Sequence, residues 1–164
     1  MMNSIGCLQK NVPGIGTIEY VYDITNGMNP GFTPQTIKYP SGAIVKKVYD
    51  KAGRLSQVVA DNKTTQYNYY DNRSVQSVVY DNGAKEEYTY TANNLLDTLT
   101  NKKANGTIIS TYSYSYDGAG NRLTETTTVG TDVTVISYTY DTSNKLTQTE
   151  TKVNTDITQI TLNK

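Results

Sequence analysis

The sequence predicts an all-β fold built from antiparallel β-hairpin repeats. Three observations carry that expectation. The chain holds 15 tyrosines against one phenylalanine and no tryptophan, so its large side chains are of the kind that favours pleated surfaces. Those tyrosines alternate with small or polar residues, as in "TYSYSYD", "ISYTYD" and "IEYVYD", which is the period-2 pattern of a strand with one tyrosine-bearing face. Each such run is closed by Asp, Asn or Gly, the residues that turn a chain back on itself.

The pattern repeats. A tyrosine six or seven residues before an aliphatic residue recurs at Tyr49 with Leu55, Tyr69 with Val75, Tyr90 with Leu96, Tyr116 with Leu123 and Tyr140 with Leu146. The anchors are spaced by 20, 21, 26 and 24 residues, and a weaker copy begins at Tyr22 and Asp23. Tyr-Asp occurs six times, where shuffling the same residues would give roughly one such dipeptide, so the repetition is a property of the architecture.

Within a copy, each element has a local reason. The alternating run before the anchor is a strand. "DKAGR", "DGAGNR" and "DTSNK" then place Gly or Asn where a left-handed backbone closes a hairpin. The aspartate that opens the turn is placed for its carboxylate to accept a backbone N–H two residues ahead, which makes it a turn residue before it is a candidate acid. A second strand leaves the turn, as in "RLSQVVA", and signals such as "DNG" at 81–83 and "NG" at 105–106 end it. One repeat is a strand, a turn, a strand and a second turn.

Organisation follows from where the pattern holds. Residues 38–164 read as the repeat region, anchored at Tyr49, Tyr69, Tyr90, Tyr116 and Tyr140, and residues 1–37 as a less regular segment with one hairpin and one degenerate copy. Five or six copies of two strands give roughly ten to twelve strands, a ribbon about 50 Å wide at the usual strand spacing. Such a sheet is expected to twist and curve as an arc of something larger, with its open edges available to further repeats or another copy.

The residues resemble the YD repeats of the rearrangement-hotspot (Rhs) family, whose relatives include wall-associated bacterial toxins, toxin-complex C components and teneurins. The motif Y-x-Y-D-x-x-G-R-L, with an optional Asn before the Arg, is carried by Tyr49, Asp50, Gly53, Arg54 and Leu55. It recurs at Tyr114, Tyr116, Asp117, Gly120, Arg122 and Leu123, and at Tyr138, Tyr140, Asp141 and Leu146 with Asn144 and Lys145 in place of Gly and Arg. The copies at Tyr69 and Tyr90 keep only the tyrosine, the aliphatic residue and the spacing, since Tyr70 and Thr91 stand where the Asp belongs. The resemblance implies a spiralling β-shell that encloses a C-terminal toxin or effector domain in bacterial members, and a secreted or cell-surface location. In such proteins a DPxG-type aspartyl segment ends the core, and no Asp-Pro occurs in this sequence.

Chemistry beyond architecture has little to stand on. The absence of His removes serine–histidine, cysteine–histidine and most zinc sites from consideration. Cys7 is the single cysteine and forms no internal disulfide. Zero formal net charge gives no electrostatic reason to expect nucleic acid, no segment has the length and apolarity of a membrane span, and the start has no signal-peptide pattern. No catalytic residue, metal or cofactor is expected. The alternative to a wall segment is an extracellular surface-binding module for carbohydrate or a cell-surface receptor, in which Tyr112, Tyr114 and Tyr138 are the rings that would stack on surface glycans. The wall reading further expects the anchor tyrosines to be largely buried by neighbouring repeats.

Overall fold

A computed structural model describes residues 5–23 and 35–162 of the 164-residue chain. The turn of the degenerate copy, within residues 24–34, lies outside the described residues. Fourteen antiparallel strands and no helix occur among those described. The chain divides into two compact units, 1–68 with 78–81, and 69–77 with 82–164.

In the first unit the strands are β1 (Ile5–Val12), β2 (Gly16–Asp23), β3 (Thr36–Lys38), β4 (Ile44–Tyr49), β5 (Leu55–Ala60) and β6 (Lys63–Tyr69). Each pairs antiparallel with its neighbour in the chain. β7 (Val75–Val79) contributes residues to both units. The second unit is a meander of β8 (Lys85–Tyr90), β9 (Leu96–Lys102), β10 (Ile108–Tyr116), β11 (Arg122–Val129), β12 (Asp132–Tyr140), β13 (Leu146–Val153) and β14 (Asp156–Leu162). Fourteen strands exceed the ten to twelve expected because β1, β2, β3 and β14 lie outside the five anchored copies.

Each anchor tyrosine is followed by a five-residue turn of one design: 50–54, 70–74, 91–95, 117–121 and 141–145. The first residue's N–H donates to the carbonyl of the fifth, and the fourth residue's N–H donates back to the carbonyl of the first, at 2.8–3.1 Å. The fourth residue always has positive φ: Gly53 (75°), Arg73 (74°), Asn94 (61°), Gly120 (87°) and Asn144 (61°). The copies placed by spacing alone therefore build the same turn as the full motifs. The opposite strand ends include two-residue turns at Asp61-Asn62, Gly130-Thr131 and Asn154-Thr155, where positive φ matches the strand twist.

Strand register separates two faces. Tyr88 pairs with Leu99, Leu99 with Tyr112, Tyr112 with Thr127 and Thr127 with Thr134, so Tyr88, Tyr90, Tyr112, Tyr114, Tyr116, Tyr138 and Tyr140 share one face of the second unit. The other face is a field of hydroxyls: Thr98, Thr100, Thr111, Ser113, Thr124, Thr126, Thr128 and Ser137. Among the described residues neither face is covered by a second layer within its unit. Among the described residues only Val78, at 7% exposure, and Ser110, at 5%, are buried. The expectation of largely buried anchor tyrosines is corrected accordingly: Tyr49, Tyr69, Tyr90, Tyr116 and Tyr140 are half-buried, because same-face neighbours shield a ring's edges and leave its outer side open.

Candidate functional site: the tyrosine face and its turns

The turns consume the motif's charges. In 50–54 the Asp50 Oδ1 accepts the N–H groups of Ala52 and Arg54, both at 2.9 Å, and its Oδ2 accepts Arg54 Nε at 2.7 Å. Asp117 accepts from the N–H of Ala119 (2.9 Å) and of Asn121 (2.8 Å), with the Asn121 side-chain amide on Oδ2 at 2.9 Å. Asp141 holds Ser143 and Lys145 in the same way, at 2.8 and 2.9 Å. The carboxylate thus clamps two N–H groups, two and four residues ahead, where the sequence suggested one. Both Asp50 and Asp117 are held below the usual carboxylate range, Asp50 first by the Arg54 N–H and Asp117 first by the Asn121 amide. An aspartate so occupied spends most of its acceptor capacity on its own turn.

Where Asp is replaced, the clamp passes to another side chain. Thr91 Oγ1 accepts the Leu95 N–H at 3.1 Å, and in 70–74 it is Asn72 Oδ1 that accepts the Ser74 N–H at 3.1 Å.

The aliphatic position behaves differently in one copy. Tyr49 faces Leu55, Tyr90 faces Leu96 and Tyr140 faces Leu146, each beside a one-residue bulge. Tyr116 faces Arg122 instead, and Leu123 falls at the bulge and is 38% exposed. The extra Asn explains it. Asn121 fills the fifth turn position that Arg54 and Lys145 fill elsewhere, which pushes Arg122 onto the strand in the aliphatic residue's place. Sequence alignment by residue type set Leu123 beside Leu55, and the register does not.

Arg122 then joins the tyrosine face. Its guanidinium carbon lies 4.8 Å from the centroid of the Tyr114 ring, and Nη1 donates to Glu125 Oε2 at 2.9 Å. The Tyr138 hydroxyl donates to the same Glu125 oxygen at 3.4 Å. A cation over an aromatic face is worth roughly 0.5–1 kcal/mol at an exposed site. Of the three rings expected to stack on glycans, Tyr114 therefore has one face taken by Arg122 and Tyr138 is tied at its hydroxyl.

Tyrosine hydroxyls also lock strands to one another. The Tyr116 hydroxyl donates to the Leu96 carbonyl at 2.8 Å and that of Tyr140 to the Arg122 carbonyl at 2.9 Å, each reaching the first residue after the preceding turn.

The remaining acids have structural partners. Glu86 accepts from the Tyr88 hydroxyl on the tyrosine face, while Glu87 is bracketed by Lys102 and Lys85 on the other and held below the usual range, first by Lys102. Cys7 donates to Glu19 at 3.0 Å, and that bond first, with the carboxylate's charge, pushes the thiol upward, away from a reactive thiolate. No group of three or more His, Cys, Asp or Glu that could hold a metal occurs among the described residues. No helix long and apolar enough to cross a membrane occurs among them.

The geometry defines a repeat-built antiparallel β-sheet protein. No protein-family model and no curated protein sequence matches the chain. Solved structures do. The crystal structure of TcdB2-TccC3-Cdc42 matches with a TM-score of 0.70 and 19% identity over 82% of this chain, and that of TcdB2-TccC3 with 0.62 and 16% over 89%. The structure of the Photorhabdus luminescens Tc holotoxin pore matches with 0.62 and 15% over 89%. This chain spans only 7%, 10% and 9% of those chains respectively. At these identities the likeness is one of fold: this chain has the antiparallel hairpin-repeat fold found in Tc toxin chains. The resemblance read from the YD motif and the fold comparison point the same way.

Proposed function

We propose that the chain is a stretch of wall in a YD-repeat shell, a non-enzymatic part whose task is to enclose a toxin or effector domain. The observation that carries this reading is the use of the motif itself. Asp50, Asp117 and Asp141 are spent on turns, the Tyr116 and Tyr140 hydroxyls on locking strands, and each unit ends as one layer with almost nothing buried. A single layer is a wall element, since it separates two sides and leaves both faces for others to use. The last described strand, β14, is exposed at every residue, with Ile157, Ile160 and Leu162 at 57%, 53% and 71%, and among the described residues it pairs only with β13. Such an edge takes up a further strand, supplied by more repeats or another copy. Secretion belongs to the same reading, by likeness to toxin components.

Protease protection tests it. The reading frame is expressed with the coding sequence that flanks it and digested with trypsin. Under the wall reading, a downstream domain survives until the repeats are denatured. Cleavage of that domain at the rate of the isolated domain overturns the reading.

A further inference from the structure

Two adjacent copies, anchored at Tyr69 and Tyr90, depart from the others in what they leave unused. Tyr90 stands where Tyr116 and Tyr140 stand, yet its hydroxyl has no hydrogen-bond partner among the described residues. Asp71 lies one residue past the position of Asp50, Asp117 and Asp141, because Tyr70 has taken that place. It clamps no turn N–H, Asn72 doing so instead, and it forms no ion pair among the described residues. The same turn carries Arg73 at φ 74°, a conformation that side chains other than Gly and Asn seldom adopt. Rules kept in four turns are broken in this one, which is where a use beyond architecture is to be sought.

These groups line one cleft. It has a volume of about 440 Å³ and is bounded by Tyr70, Asp71, Asn72, Thr89, Tyr90 and Thr91. Its walls are held in place: the Tyr70 hydroxyl donates to the Tyr88 carbonyl at 2.9 Å, Asn72 Nδ2 donates to Asn94 at 3.0 Å, and the Tyr70 and Tyr90 rings meet edge to face with centroids 6.2 Å apart. The volume falls within the roughly 300–1,000 Å³ of small-molecule sites.

We propose that this cleft binds a neutral sugar ring, with the Asp71 carboxylate accepting from sugar hydroxyls, the Tyr90 hydroxyl donating to a sugar oxygen, and a C–H face of the ring lying on the Tyr70–Tyr90 pair. The chemistry selects that class. A divalent cation needs about six to eight oxygens, and one carboxylate among neutral hydroxyls is far short of it. An anion would meet Asp71. An apolar ligand would strip water from Asp71 and Tyr90 and return no hydrogen bond. Burial, followed by the nearby Tyr70, raises the Tyr90 phenol above its usual range, which keeps it a donor. The inference stands apart from the wall reading, since either can hold without the other.

The test titrates the full chain with maltotetraose, cellotetraose and chitotetraose in its N-acetylated form, by isothermal calorimetry and saturation-transfer NMR. At least one gives millimolar or tighter binding, and Tyr90→Phe and Asp71→Asn each weaken it about tenfold, the loss of one hydrogen bond to a charged or buried group. Neither the Tyr90 hydroxyl nor the Asp71 carboxylate hydrogen-bonds to another described residue, so both variants keep the parent's melting temperature. Tyr116→Phe does the reverse, melting earlier and binding as the parent does. No signal from any of the three sugars at millimolar concentration overturns the proposal, and so does binding that both site variants leave unchanged.

Discussion

The side-chain amide of Asn121, in the turn between β10 and β11, donates to the Oδ1 of Asn144, in the turn between β12 and β13, at 2.9 Å. The same relation joins the turns 70–74 and 91–95, where Asn72 Nδ2 and Ser74 Oγ both donate to Asn94 Oδ1, at 3.0 and 2.6 Å. Asn94 and Asn144 occupy the positive-φ position that Gly holds at 53 and 120. As sequence, Asn there reads as a tolerated substitute for Gly. As structure it adds a lateral bond that Gly cannot make.

Replacing Asn144 separates the two roles. Asn144→Gly keeps the backbone conformation and loses the bond to Asn121, for a cost of about 0.5–1.5 kcal/mol. Asn144→Ala loses the bond and also strains the left-handed backbone, for roughly 1–2 kcal/mol more. Urea denaturation of the two variants measures the difference, and equal stabilities would remove the backbone argument.

The tyrosine hydroxyl locks make a second expectation. Tyr116→Phe and Tyr140→Phe retain the ring and lose one bond each to the Leu96 and Arg122 carbonyls. Each is expected to destabilise by about 0.5–1.5 kcal/mol, read from the denaturation midpoint at constant m-value.

The aspartates divide by position. Asp117→Ala and Asp141→Ala each release two turn N–H groups and lower the midpoint, whereas Asp71→Ala releases none and leaves it in place. Thermal melting of the three variants side by side decides it. A loss at Asp71 equal to that at Asp117 would contradict the assignment of its role.

The pH profile follows from the sign of the shifts. Asp50, Asp117 and Glu87 have folded pKa values below their unfolded ones, so their contribution is fully present above the unfolded values, about 3.9 for Asp and 4.3 for Glu. It is lost as pH falls through the folded values. With no histidine in the chain, stability is expected to be level between about pH 5 and 8 and to decline below about 4. Denaturation midpoints across that range check both halves.

The repeat was legible because its rules are local. Positive φ at the fourth turn position selects Gly or Asn in four of the five turns, with Arg73 the exception, and a strand with one tyrosine face selects alternation, so all five turns lie at the tyrosines that marked them. What failed to show depends on neighbours in space. Nothing in the spacing told that Asn121 would displace Arg122 from the turn and Leu123 from its place opposite the tyrosine. The half-burial of the anchors rests on a second layer being absent, and alternation reads the same whether one exists or not. Tyr90 and Asp71 looked like weak matches to a motif, and only the bonds made in the other copies mark theirs as unmade.

The anchored turns share one length of five residues and one bonding scheme, while the strands between them range from the five residues of β7 to the nine of β10 and β12. All the variation in period, from 20 to 26 residues, therefore accumulates away from the anchors. Within the second unit the anchored turns are like a comb's even spine and the strands its uneven teeth. Residues inserted at Gly130-Thr131 lengthen a tooth, and residues inserted between Asp117 and Asn121 break the spine.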